Sequence, residues 1–227
     1  MLQGKIISLN VGLPQLLTYE GGEILTGITK APVQGPIFLS SLNFDGDAQA
    51  DLQFHGGVDK AICVYPHEHY PYWEQNLNRA LGFAAFGENL TVSGLLEKDV
   101  CIGDKFQLGE AVVQVSQPRQ PCHKLAKKYN VSDLPVRVQD TMFTGYYFRV
   151  LQEGNVTTDS DIRLLERDPH GITVEFANQI MHHDKKNRAG AEQILAVEGL
   201  STSWRNTLNK RLEGLEVDTA HRLKGSE

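Results

Sequence analysis

The chain has 227 residues, 41% of them hydrophobic and 22% charged, enough to bury a sizeable core in one larger domain with a small appendage. Its formal net charge of -6 and pI near 5.8 argue against a protein that coats nucleic acid, because phosphate binding depends on an excess of Lys and Arg. No apolar run approaches the roughly 20 residues that a membrane helix needs, and the first residues show neither the basic flank nor the apolar core of a secretory signal. No membrane partner is therefore expected, and the chain is placed in the cytoplasm.

In chain order, short β-type runs fill the first part, at residues 5–10, 37–40, 61–65, 89–92, 100–108, 111–117, 146–151 and 162–166, each bounded by Gly, Pro, Asn or Asp. Among them, residues 68–81 carry Tyr72, Leu77 and Leu81 at helical spacing with Trp73, residues 124–129 read as a short helix, and residues 132–142 as another capped by Ser132. After Asp168-Pro169-His170-Gly171 the apolar period changes to 3.6, through Val174, Ala177, Ile180 and Met181, then Ile194, Leu195 and Val197, then Leu200, Trp204, Leu208 and Leu212. The fold class predicted is mixed and mainly β, a barrel or sandwich with short helices over residues 1–167. A module of three short helices follows over residues 168–227. Each of those helices is too short to persist alone, so their stripes must pack together or on the barrel.

Three cysteines are an odd number, too few for a disulfide framework in a chain this size. Cys63, in Ala61-Ile62-Cys63-Val64-Tyr65, and Cys101, ahead of Gly103-Asp104, read as small buried hydrophobes. Cys122 differs. It sits in Ser116-Gln117-Pro118-Arg119-Gln120-Pro121-Cys122-His123-Lys124, pinned between prolines and ringed by cations. Only the thiolate is a nucleophile or metal ligand, and Arg, Lys or protonated His nearby favour that form. The chemistry is expected there.

Two further clusters resemble ligand-binding loops. In Phe54-His55-Gly56-Gly57-Val58-Asp59-Lys60 a glycine pair either turns backbone N–H groups toward an anion, flanked by His55 and Lys60, or makes a tight turn. In Phe86-Gly87-Glu88-Asn89-Leu90, Glu88 and Asn89 either close the backbone or hydrogen-bond the edge of a heterocycle. Lys30, in Thr29-Lys30-Ala31-Pro32, is the weakest candidate from chemistry alone. His67, His69, His182 and His183 show no Cys-x-x-Cys or His-x-x-x-His spacing that would organise a zinc site, and His182-His183-Asp184-Lys185-Lys186 is most simply a solvated helix end.

In this order, Lys30-Ala31-Pro32, Phe54-His55-Gly56-Gly57 with Asp59-Lys60, Tyr65-Pro66, Phe86-Gly87-Glu88-Asn89-Leu90, Ile102-Gly103-Asp104 and Ser116-Gln117-Pro118-Arg119 leading to Pro121-Cys122 resemble the MOSC family, named for the C-terminal domain of molybdenum cofactor sulfurases. They resemble most its stand-alone bacterial YiiM-type members, whose barrel is followed by a three-helix module. The resemblance implies a MOSC-type β-barrel that binds the molybdenum cofactor (molybdenum with molybdopterin), with Cys122 as the metal's protein ligand. A soft thiolate suits a metal already held by dithiolene sulfurs. It also implies reduction of N-hydroxylated compounds, such as hydroxylaminopurine base analogues, to amines. Arg119 would be the bidentate phosphate partner, helped by Lys60 and Lys30, with His55, Gly56, Glu88 and Asn89 toward the pterin or substrate and His55 or His123 supplying a proton.

The chain has no four-cysteine iron-sulfur set and no Gly-x-Gly-x-x-Gly fingerprint, so a separate electron-donor reductase is implied. It has no room for the pyridoxal phosphate domain of full-length sulfurases. A sulfur carrier holding a persulfide on Cys122 stays open as the alternative. A helix-turn-helix DNA reader is disfavoured, because residues 168–227 carry eight Lys and Arg against nine Asp and Glu. The helical tail is free to cover the barrel, to pair with a second copy as a homodimer, or to dock the reductase.

Overall fold

The computed structural model describes residues 2–225, apart from the side chains of Gln53 and Phe54. Its strands are β1 (Gln3–Val11), β2 (Gln15–Tyr19), β3 (Gly22–Thr26), β4 (Ala31–Pro32), β5 (Ile37–Leu39), β6 (Ile62–Pro66), β7 (Leu90–Ser93), β8 (Lys105–Leu108), β9 (Ala111–Pro118), β10 (Tyr146–Gln152), β11 (Gly154–Val156) and β12 (Asp161–Glu166). The helices are α1 (Leu52–His55), α2 (Tyr70–Leu77), α3 (His123–Tyr129), α4 (Leu134–Asp140), α5 (Val174–Asn178), α6 (Arg188–Leu195), α7 (Thr202–Leu212) and α8 (Ala220–Lys224).

Seven strands close into a barrel in the order β12-β8-β9-β10-β6-β7-β1, and β1 pairs back to β12. Closure leaves no free edge along this ring and wraps one apolar core, in which Phe106, Phe148, Tyr146, Leu9, Ile62 and Val113 are fully buried. Register shifts at Ile6/Ser8 in β1, at two points in β10 and at Leu164/Glu166 in β12 supply the local bends that closure requires. The β6–β7 pair is parallel, so the chain crosses over between them, through a 3-10 turn at His67–His69 and then α2. All five residues of β6 are buried, which is why its sequence is a continuous apolar run and not an alternation.

Several predicted elements change shape. The strand expected over residues 100–108 is regular only at Lys105–Leu108. Ahead of it the Asp104 carboxylate accepts from Cys101 N at 2.8 Å and Gly103 takes φ 90°, turning the chain. The helix expected over residues 132–142 starts at Leu134, with Asp133 and not Ser132 at the cap position. α2 ends at Leu77, where Asn78 goes left-handed at φ 49°. The β2–β3 hairpin has no counterpart among the predicted elements; its Leu16 and Leu25 are exposed, so no core-facing alternation marks it.

The tail forms the expected helices, α5 continuing as a π-helical turn over Gln179–His183, with the short α8 in addition. Thr173, Asn187 and Ser201 cap α5, α6 and α7 by accepting from Phe176 N, Gly190 N and Trp204 N. Their stripes meet in a second core of Ala177, Ile180, Met181, Ile194, Trp204 and Leu208, into which the barrel contributes Ile102. Backbone bonds join the two bodies, from Ile102 N to Ile172 O at 2.9 Å and from Ser201 N to Ser116 O at 2.9 Å. No described helix is long and apolar enough to cross a membrane. Trp204 is 1% exposed, so Trp204→Ala is expected to lower unfolding free energy in urea titration by about 3–5 kcal/mol through the cavity it leaves.

Candidate functional site

A pocket, partly open to solvent, lies among β3, β6, β10, the exit of β9 and the start of α3. Lys30, Lys60, Arg119, Lys124 and His55 line it, together with Cys63, Cys122, Asn89, Phe86, Tyr147, Gln49 and Gln120, and among the described residues no Asp or Glu does so. Behind this wall Lys30 is paired with Asp47, and Lys124 Nζ lies 4.0 Å from the Asp51 carboxylate.

Arg119 is the centre of the wall. It follows the last residue of β9 and is 6% exposed, with its backbone N–H bonded to Gly145 O at 3.0 Å. Its Nη2 donates to Phe86 O at 2.7 Å, while its Nη1 is buried with no partner among the described residues. Burial pulls the Arg119 pKa down, but negative charge on Cys63, Tyr147 and Cys122 outweighs that and raises it. Burial in turn drives the Tyr147 phenol far above its usual range, and Arg119 opposes the shift.

The Phe86 wall is a strained turn held by cations. Ala84 and Gly87 have φ of 57° and 78°, and a Cβ on Gly87 would come within 2.7 Å of Ile28 Cγ1, so only glycine fits. The carbonyls this turn exposes accept from Lys128 Nζ, which reaches Ala84 O and Ala85 O at 2.9 Å each, and from Tyr129 Oη, which reaches Ala85 O at 2.9 Å. Glu88 is fully buried behind the turn and accepts from Phe86 N at 2.9 Å, Thr91 Oγ1 at 2.8 Å and the Tyr70 hydroxyl. It does not line the pocket; its carboxylate closes the turn, the first of the two arrangements the motif allowed. Asn89 does line the pocket while its side chain staples strands, accepting from Cys63 N at 3.1 Å and donating to Asn10 O at 3.2 Å.

On the opposite side, the glycine pair makes a turn, with Gly57 at φ 93° and Lys60 N bonded to Gly57 O at 2.9 Å. Gly56 is not among the lining residues, whereas His55 and Lys60 are. Asp59 anchors this loop: its carboxylate bonds Arg149 at 2.6 Å and the first backbone N–H of α7, Thr202 N, at 2.9 Å. Lys30 lines the pocket too, with its ammonium paired to the buried Asp47. Burial, then the charges of Lys124 and Lys60, lowers the His55 pKa to about 4, so the imidazole is neutral at pH 7.

Cys122 stands at the N-cap position of α3 with extended backbone, 8% exposed and lining the pocket beside Arg119. His123, the alternative proton source, does not line the pocket; its ring packs against His221 of α8. The residue that sequence reading passed over is Cys63. It is buried as expected, yet it lines the same pocket, and burial pushes its thiol up to about 11. Lys124, Tyr147 and Gln49 also line the pocket without having been singled out. None of the described residues forms a cluster of three or more His, Cys, Asp or Glu able to hold a metal by itself.

The structure is thus a closed barrel with a pocket lined by lysines, an arginine and two thiols, followed by a helical module. Residues 51–163 match the MOSC domain model and residues 172–215 the model of the YiiM-like 3-alpha helix domain, and the chain belongs to the MOSC domain family in its YiiM-like branch. It is 56% identical over 211 residues to the uncharacterized protein YflK of Bacillus subtilis, covering 93% of this chain and 96% of that one. The crystal structure of YiiM from Geobacillus stearothermophilus superposes with a TM-score of 0.80 at 42% identity, covering 92% of this chain and 99% of the other. A protein of Gibberella moniliformis named "Reductase" is 38% identical over 154 residues, 65% of this chain but 27% of its own length.

The depressed His55 pKa has a defined sign. The unfolded chain binds a proton at His55 below about 6.5 and the folded chain refuses it until about 4, so His55 lowers stability as pH falls through that window. His182, lowered by burial to about 3, acts in the same direction. Denaturant titrations between pH 7 and 4 should show a shallower acid loss in His55→Gln, by up to one proton.

Proposed function

We propose that this protein is a molybdenum-cofactor-dependent oxidoreductase that reduces N-hydroxylated compounds, such as hydroxylaminopurine base analogues, to amines. The observation that carries the reading is the buried Nη1 of Arg119, which has no hydrogen-bond partner among the described residues, in a side chain that lines one pocket with Lys60, Lys124 and the Cys122 thiol. An isolated buried guanidinium donor is costly unless a ligand completes it, and a phosphate oxygen is the acceptor that matches its fork. The residues present fit the cofactor: Arg119, with Lys60 and Lys124 beside it, would hold the phosphate, and Cys122 would ligate the metal. Asn89, Phe86 and Tyr147 would frame the heterocycle. Membership of the MOSC family and a relative named "Reductase" support the same class.

When bound, the molybdenum centre supplies two-electron redox chemistry. The overall reaction balances as hydroxylamine plus two electrons and two protons giving amine and water. The electrons would come from a separate reductase. The protein's own part is to desolvate and orient the reacting group and to move protons. His55 is neutral at pH 7 and serves to donate or accept a hydrogen bond, while burial lowers the Lys60 pKa and makes its ammonium the readier acid.

Cys122→Ala is expected to fold normally and to lose molybdenum measured by elemental analysis of gently purified protein. Arg119→Ala is expected to retain about tenfold to a hundredfold less of the pterin, because a charge-assisted phosphate contact disappears. Wild-type protein carrying one extra sulfur on Cys122 by intact mass, and no molybdenum, would replace this reading with a sulfur carrier.

A further inference from the structure

The short helix α8 lies beyond both segments matched by the family models, and it grips the cysteine loop. Arg222 donates from Nη1 to Pro121 O at 2.6 Å and from Nη2 to Gln139 Oε1, on α4, at 3.0 Å. Alongside, His123 Nδ1 donates toward His221 O at 3.4 Å, and the two imidazoles meet edge to face. A Cβ on Gly225 would come within 3.2 Å of the His123 ring. So the residues on both sides of Cys122 contact α8.

The loop is held at its start by Arg119, whose N–H bonds Gly145 O at 3.0 Å and whose Nη2 bonds Phe86 O at 2.7 Å, and at its end by the bond from Leu125 N to Cys122 O at 3.0 Å. β9 ends at Pro118 and α3 begins at His123, so residues 119–122 belong to no strand or helix. Pro121 has no N–H to give to a neighbour, and its buried carbonyl needs a donor. A guanidinium meets that need well, because its planar fork can hold the carbonyl and be held by Gln139 at once.

We propose that Arg222 is a positioning residue: braced on Gln139, it holds the Pro121 carbonyl and thereby sets how the Cys122 sulfur enters the pocket. The functional meaning rests on Cys122 being the ligand-bearing thiol, but the geometry does not. Full-length Arg222→Ala, Arg222→Lys and Gln139→Ala variants test it, by amide hydrogen exchange over residues 119–126 and by the rate of Cys122 alkylation with iodoacetamide.

Arg222→Ala should raise exchange at Cys122 and the first turn of α3 about tenfold and speed alkylation comparably, with the amides of β9 and β10 unchanged. Gln139→Ala should give a smaller rise in the same peptides. Arg222→Lys, which keeps one donor to Pro121 O, should recover part of the protection. Unchanged exchange around Cys122 in Arg222→Ala overturns the proposal. So does a loss of protection spread over the whole barrel that Arg222→Lys shares, which would make Arg222 a general stability residue. If the loop loosens as stated but wild-type protein carries no molybdenum, the positioning role stands and the proposed function falls.

Discussion

Arg119 holds a positive charge out of water with no carboxylate to answer it, and much of the site is arranged around that burden. Moving such an ion from water into protein costs several kcal/mol, which one carbonyl bond from Phe86 offsets only in part. Cys63, Tyr147 and Cys122 line the pocket with it, and burial keeps the Cys63 thiol and the Tyr147 phenol protonated. A carboxylate here would satisfy the guanidinium permanently and leave it nothing to offer a ligand. The turn at Phe86 follows from the same constraint: its carbonyl points at Arg119 because Gly87 adopts a positive φ and Glu88 pins the Phe86 amide from behind.

The loops that carry chemistry have little regular structure of their own, and elements distant in sequence hold them. Asp59 ties the glycine loop to β10 through Arg149 and to α7 through Thr202 N. Ser203 reaches Gln117 Oε1 at 2.9 Å, near the exit of β9 toward Arg119. The helical module thus packs on the barrel and also braces two site loops, so its second core and the pocket are mechanically linked. Functional groups on loops gain precision only from such a supporting shell.

Burial sorts the titratable groups of the site into different roles. His55 is kept neutral, and Lys60 is held as a weaker base than a solvated lysine. Lys30 already faces Asp47, so its charge is partly spent within the protein. Arg119, which also lines the pocket, keeps a buried donor that no described residue accepts. Cations that look interchangeable in composition are therefore unequal in what they can offer a ligand.

Read alone, the sequence determined the class of fold, the switch to helices after Gly171, the cysteine on which chemistry was expected and the family whose ordered motifs it shares. These are legible because apolar periodicity and proline or glycine punctuation act locally. Glu88 and Asn89 show the limit: they are neighbours in one motif, yet one closes a turn from behind and the other lines the pocket. Which side each takes depends on the path of residues 84–87, fixed by Lys128, Tyr129 and Arg119 from another part of the chain. Cys63 was hidden for a related reason: both faces of β6 are buried, so no periodicity separates the face toward the barrel core from the face toward the pocket. Only the closed barrel, by setting β6 beside β10 and the exit of β9 near both, decided that this thiol shares a cavity with Cys122 and Arg119.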